Sequence, residues 1–453
     1  MGFIKVSVCV LVLALVYDSN MGFIKVSVCV LVSALVCGCL QRLFTKPLPV
    51  VVDGYVHPAF QPVLEKFREN VASGKEPGAA FAVYRNGQPL VDVWGGIADV
   101  KAARPWRRDT MAQGWSTTKG IATIVVAVMV DRGWLDYKRP VHEYWPEFKQ
   151  NGKKNVTVEM LLSHQAGLPV LDTPISVLEI REARDRVENI LASQTPVWPP
   201  GTQFGYHGIT FGPYVDTLVR KADPKGRRME QIFREEIGDP LDIDVYMNLP
   251  RNEYHRAARL YTDPIWMIIL KTLLAPRYFR VFAGLVTNPG SLFARSLKVV
   301  KEMKNIGNLG VFNDPDLREI TMSSISGTMT ARGVAKLYSI MAEGIKGRSI
   351  DLLSSDVTSL FTSPLVQGKE SVVGSDNWAM NRGFLYHNNS EGNLVFGHPG
   401  HGGQMGRGDP KASLGFGYVT NHLSIYGRGD DPRYVGLEEI VYECLKDYDK
   451  SEK

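Results

Sequence analysis

The stretch GWSTTKGIATIVVAVMVDRGWLD, residues 114–136, decides the fold. From Ile121 to Val130 only Thr123 interrupts an apolar run. A helix that is apolar on every side belongs inside a domain, because a surface helix keeps one polar face. The pattern predicts a fully buried helix around which the other layers are built. Ser116 and Lys119 stand at its head, three residues apart and therefore on one helix face.

Working outward, the segment HPAFQPVLEKFRENVASG (57–74) predicts an amphipathic helix ending at Gly74. GAAFAVYRNGQPLVDVWGG (78–96) predicts two strands joined at Asn86-Gly87, a pair suited to the tight turn of a hairpin. Text typical of helices and loops then runs to about residue 350. GNLVFGHPG (392–400) and SLGFGYVTNHL (413–423) read as strands, and a last amphipathic helix is expected from about Tyr434 to Tyr448. Strands at both chain ends and helices between them predict an α/β fold of the α+β type. In it an antiparallel sheet of N- and C-terminal segments is flanked by helices, with a helical subdomain inserted at about 140–350.

The 453 residues are 44% hydrophobic and 22% charged, ample for a large core. The net charge of +5 is too small and too dispersed to point to nucleic acid. Four of the five cysteines precede residue 40, which leaves Cys444 alone in the body and excludes a disulfide within it. The N-terminus repeats itself: MGFIKVSVCVLVLALV (1–16) returns at 21–36 with Leu13 replaced by Ser33, so Met21 is an alternative start. In the second copy Lys25 precedes an apolar run of about 15 residues, short for a bilayer span but suited to a signal peptide. Residues 1–45 are thus expected to be a leader, a signal peptide first and a membrane anchor second, which routes the chain to the secretory pathway. Residues 46–450 form the body.

The head of the buried helix has the chemistry of a nucleophile site. Unpaired N–H groups and the positive dipole end favour a negative charge at Ser116, and burial depresses a lysine pKa toward that of a base. Ser116 is the sole serine with a lysine three residues on. In this motif, and in PPGTQFGYHGITFG (199–212) and FGHPGHGGQMGRGDPKASLGFGYVTN (396–421), the chain resembles the serine β-lactamase and penicillin-binding-protein superfamily, in its class-C-like, esterase-rich branch. The resemblance runs from about residue 50 to 445.

The resemblance implies a serine hydrolase that forms a covalent acyl-enzyme. Ser116 is the expected nucleophile, and Lys119 and Tyr206 are the expected proton carriers. His398, Pro399 and Gly400 take the places of the family's Lys-Thr-Gly strand motif, with His398 as a hydrogen-bond donor or a tuner of charge. His401 then supplies an oxyanion N–H opposite that of Ser116. The asparagine usual two residues after the tyrosine is Gly208 here. MLLSHQAGLP (160–169) also looks like a family hallmark, in which His164 reads as a structural hydrogen-bonder. SSISGTMTARGVAKLYSIM (323–341) resembles the loop and helix that close the family's cleft.

Lacking the lysine and threonine that hold a substrate carboxylate, the chain is expected to prefer small-molecule esters or amides to β-lactams. No metal-ligand spacing, Walker loop or dinucleotide fingerprint stands out, so no metal or cofactor is expected. Two other readings stay open: a peptidase of the same fold that self-associates, and a binding or scaffold module that has lost turnover. The segment Asp263–Lys304 holds seven basic and two acidic residues among many apolar ones. It reads as a helical cap over the cleft or, alternatively, as a surface in contact with lipid.

Overall fold

The computed structural model describes residues 51–451 apart from Lys75, Lys304 and Asn305. The duplicated leader, its four cysteines and Met21 lie outside the described residues. Nine of the ten strands of the main sheet are β1 (Val52–Val56), β2 (Gly78–Arg85), β3 (Gln88–Asp99), β4 (Val366–Gly368), β5 (Trp378–Asn381), β6 (Phe384–Asn388), β7 (Leu394–Pro399), β8 (Met405–Asp409) and β9 (Leu414–Thr420), and the tenth, Arg104–Pro105, pairs with β3. They pair antiparallel in the order β1-β3-β2-β9-β8-β7-β6-β5-β4. N- and C-terminal segments therefore meet at the β2–β9 ladder, where Phe81 lies opposite Tyr418 and Ala82 opposite Gly417. The expected hairpin is present: Asn86 and Gly87 both have positive φ (53° and 76°), the pairing required for a tight turn between β2 and β3.

The helices that matter for the site are α1 (Gln61–Ala72), α2 (Thr117–Asp131), α3 (Phe211–Ala222), α4 (Ile265–Leu274), α5 (Pro276–Thr287), α6 (Ala331–Ile345) and α7 (Pro432–Ser451). Alternation along β2 sorts them into layers. Ala79, Phe81 and Val83 face a core shared with Phe67 of α1 and with Tyr434, Leu437 and Val441 of α7. Ala80, Ala82 and Tyr84 face the opposite core, with α2, α6 and the helical region beyond them. The sheet is thus covered on both faces, which is why β2 reads as nearly continuous apolar text.

Strand β9 alternates more sharply. Leu414, Phe416 and Tyr418 point to the α1/α7 side, and between them Gly415 and Gly417 turn toward α6. A Cβ on Gly417 would lie 2.0 Å from the Ala331 carbonyl oxygen, and one on Gly415 2.1 Å from that of Ala335. The glycines let the backbone of α6 lie directly on the strand. This revises one expectation. Residues 331–345 fall inside the interval assigned to the helical insertion, yet α6 packs on the sheet and leaves the cleft to the loop before it. Of its fifteen residues twelve are buried, because it lies between the sheet and the helical layer.

The central helix is as buried as its sequence demands: thirteen of its fifteen residues are out of contact with solvent. A small three-stranded patch pins the chain just before it. Thr328–Met329 is flanked by Ala112–Gln113 on one side and Val245–Tyr246 on the other. Cys444, on α7, is a free and buried thiol.

Candidate active site

The turn that leads into α2 is held before the helix begins. Gly114 donates to the Gly327 carbonyl at 2.7 Å, and Gly327 in return donates to Thr118 Oγ1 at 3.0 Å. Trp115 takes a positive φ of 49°, a conformation unusual for a bulky residue and one that persists only where its surroundings fix it. Its ring packs edge-on against Phe312 and His401, with centroids 5.2 and 5.6 Å away. Ser116 follows as the first cap of α2. The N–H groups of Thr117, Thr118 and Lys119 are taken by the carbonyls of Gly114, Trp115 and Ser116, each at 3.0 Å.

Three groups named from the sequence meet at this point. Lys119 Nζ is hydrogen-bonded to Ser116 Oγ at 3.0 Å and donates to the Ser324 carbonyl at 2.9 Å. The Tyr206 hydroxyl donates to Ser116 Oγ at 2.9 Å. The lysine is fully buried with no carboxylate beside it, and burial alone drives its pKa well below the ordinary 10.5. An ammonium without a counter-ion in such a place is costly, so burial favours the neutral amine. Burial pushes the Tyr206 phenol the other way, above its ordinary value; its bond to Ser116 opposes this and the Glu370 charge adds to it. An amine biased toward its neutral form and a phenol held protonated thus flank one serine hydroxyl.

The supports of this trio come from distant segments. His164, at φ 59°, accepts the His207 N–H on Nδ1 at 3.0 Å, and its ring lies 5.2 Å from that of Tyr206. It fixes the turn carrying the tyrosine, the structural role read from its sequence context. The Glu370 carboxylate accepts the N–H of Tyr206 itself, and those of Val372 at 2.8 Å and Val373 at 2.7 Å. On the lysine side, Asp216 of α3 accepts the Ser323 N–H at 3.0 Å and also its hydroxyl, which steadies the carbonyl of Ser324. Burial pushes Asp216 up to about 7.

Strand β7 closes the opposite wall. The His398 ring stacks on Tyr206 with centroids 6.0 Å apart, and its Nδ1 donates to the Pro399 carbonyl at 2.7 Å. Burial, the largest cause, lowers His398 to about 3. The imidazole is therefore neutral near pH 7 and supplies no charge to the site. That removes one of the two roles expected of it. Gly400 donates to the Gln404 carbonyl at 2.8 Å, and His401 opens a short helical turn to Gly403. The first N–H groups of such a turn have no acceptor within it. His401 itself is lowered to about 4 by burial. The loop at 323–325 reaches the site through Ser324 and Ile325, as its resemblance implied; the helix after it lines no part of the cavity but sets the Tyr338 hydroxyl against Gly120, behind Lys119.

These residues line a cavity of about 690 Å³ whose walls are mostly apolar, among them Ile209, Phe293, Leu297, Ile325 and Trp378. Such a space suits a small molecule with a carbon skeleton and few polar groups. Among the described residues no three His, Cys, Asp or Glu side chains gather as a metal site. Sequence reasoning did not find Ser324, Glu370 or Trp378, whose ring lies 5.4 Å from Tyr206.

The buried Ser-Lys pair, the tyrosine and the sheet behind them define a serine hydrolase. The family model for Beta-lactamase matches residues 63–438, and the chain belongs to that family. It is 30% identical over 403 residues to "Esterase/beta-lactamase LipL" of Mycobacterium tuberculosis, spanning 87% of this chain and 88% of that protein. Among solved structures it is similar to a family VIII carboxylesterase, with 32% identity and a TM-score of 0.72 over 87% of this chain and all of the other. It is also similar to a penicillin-binding protein homologue from Caulobacter crescentus, with 30% identity and a TM-score of 0.71 at the same coverage of both chains. Within the family these likenesses favour an esterase.

Proposed function

We propose that the chain hydrolyses small-molecule esters through an acyl-enzyme on Ser116. The single observation that carries this reading is the contact of the fully buried Lys119 amine with Ser116 Oγ at 3.0 Å. As Oγ bonds to the ester carbonyl carbon, its proton passes to Lys119. The carbonyl oxygen becomes an oxyanion between the N–H groups of Ser116 and His401, aided by the N-terminal end of α2. Collapse breaks the bond to the alcohol oxygen, which leaves with a proton delivered through Tyr206. Water then attacks the acyl carbon, gives its proton to the same base, and the acid departs as Ser116 Oγ is reprotonated.

A fluorophosphonate probe, followed by mass spectrometry of the modified peptide, tests the assignment. Labelling on Ser116 is the expected outcome. Labelling of another serine overturns the mechanism, and failure to label favours a binding module.

The chemistry of β7 argues for esters over β-lactams. Pro399 has neither N–H nor hydroxyl, and a neutral His398 does not pair with a carboxylate. Turnover of nitrocefin is expected to be at least about a hundredfold slower than that of p-nitrophenyl acetate, as when a charge-assisted contact worth a few kcal/mol is missing. Equal rates with the two substrates would sink the preference.

A further inference from the structure

Helices α4 and α5 form a hairpin that buries little of itself. Thr272 is the sole buried residue of α4, and α5 has none. Seven of the fourteen large apolar side chains exposed among the described residues lie here: Ile265, Ile269, Leu273, Leu274, Phe279, Phe282 and Val286. Their spacing is regular. Ile265, Ile269 and Leu273 share one face of α4, and Phe279, Phe282 and Val286 share one face of α5. The other face of α5 does different work. Tyr278 and Val281 line the catalytic cavity, and the Tyr278 hydroxyl donates to Asp430 at 2.7 Å and accepts the Gly427 N–H at 3.1 Å. One helix is thus a cavity wall on the inside and an apolar surface on the outside.

The geometry points to this hairpin as a docking surface for an anionic lipid bilayer. Between Pro264 and Thr287 there are three cations and no carboxylate. Lys271 is paired with Asp263 at 2.6 Å and Arg277 with Asp430 at 3.3 Å, while Arg280 has no ion-pair partner among the described residues. Contact with a second copy through the same face would bring two copies of this net-basic hairpin together across a two-fold axis with no acid in it to pair Arg280. A bilayer of negative headgroups supplies the partner that Arg280 lacks, and its acyl region accepts the apolar side chains. Helices of ten and twelve residues reach about 15–18 Å, well short of a hydrocarbon core of about 30 Å, so the hairpin lies on the surface and does not span it. Docked in this way, the cavity wall formed by Tyr278 and Val281 stands at the lipid boundary. Esters dissolved in the bilayer are then the substrates closest to Ser116, a consequence that rests on the hydrolase reading, whereas docking does not.

Flotation of the full chain with vesicles of phosphatidylcholine, with and without phosphatidylserine, tests the surface. Binding is expected to anionic vesicles, with a drop of about tenfold or more in the double variant Phe279→Ser/Phe282→Ser and of about fivefold in Arg280→Ala. Neither variant touches the cavity, so hydrolysis of soluble p-nitrophenyl butyrate is expected to stay at the wild-type level. Hydrolysis of a long-chain ester dissolved in the vesicles is expected to fall in step with flotation. Wild type that stays off anionic vesicles overturns the proposal. So does a double variant that floats as well as wild type, or one that differs only by losing self-association in light scattering. Normal flotation with no hydrolysis of either ester leaves docking standing and removes the hydrolase reading.

Discussion

Substituting Lys119 by methionine is expected to lower kcat/KM for a soluble ester by about 10²–10⁴, the range for loss of a positioned general base. Methionine fills nearly the same volume, so the helix and the cavity keep their shape. The same variant carries a second test with a definite sign. Burial holds the pKa of Lys119 well below the 10.5 of a free lysine, so folding favours release of the proton from the amine. Between the two pKa values the unfolded chain binds more protons than the folded one, and wild-type stability gains as pH rises toward 10.5. Methionine has no such dependence. Stability measured by denaturant unfolding should therefore move in favour of wild type relative to Lys119→Met as pH increases from 7. A constant difference across that range would mean that the lysine keeps its charge in the fold, and the base assignment would fall with it.

That test is available because the site could be named from the sequence, and the reasons are local. Ser116 and Lys119 share one turn of an unmistakable apolar helix. Tyr206 and His398–His401 lie in glycine-rich text whose order along the chain carried the family resemblance. The hairpin at Asn86-Gly87 was legible because positive φ at both turn residues restricts the choice of side chain. The supports were not legible for a different physical reason. Lys119 donates to a backbone carbonyl, that of Ser324, and any residue can offer one. Glu370 meets Tyr206 across 164 positions of chain, and nothing near Glu370 distinguishes it from a solvated acid. Burial is what separates the two cases, since Glu370 is fully enclosed and accepts four N–H groups.

The layers were misread in one place for a related reason. Residues 331–345 look like part of a helical insertion because they are helical and follow other helices. Their true partners are Gly415 and Gly417, which weaken the strand signal of β9 while creating the space that α6 occupies. A glycine in a strand can mark the close approach of another backbone, and here it marks where the second layer lies.

The same logic, applied at the site, gives the expected effect of Gly400→Ala. The φ of Gly400 is −111°, a conformation alanine adopts freely, so the backbone itself raises no objection. Space does. A Cβ there would lie 2.2 Å from the Gly114 carbonyl oxygen, 2.8 Å from Gln404 Cβ and 2.9 Å from Thr117 Oγ1. Gly114 belongs to the turn that carries Ser116, and Gly400 immediately precedes His401. The methyl is thus a wedge between the two chains whose N–H groups are proposed to share the oxyanion. Overpacking of this kind costs about 1–3 kcal/mol of stability. Misplacing one oxyanion donor lowers kcat by about 10²–10³. Substrate held in the apolar cavity feels the change less, so KM is expected to move by less than about threefold, the pattern of an interaction made mainly in the transition state. Gly427→Ala is the control, because its Cβ meets only His401 Cα at 3.9 Å and asks nothing of the turn. If Gly400→Ala loses stability and keeps its kcat, the oxyanion is not held between Ser116 and His401. A second donor would then have to be sought elsewhere along the cavity wall.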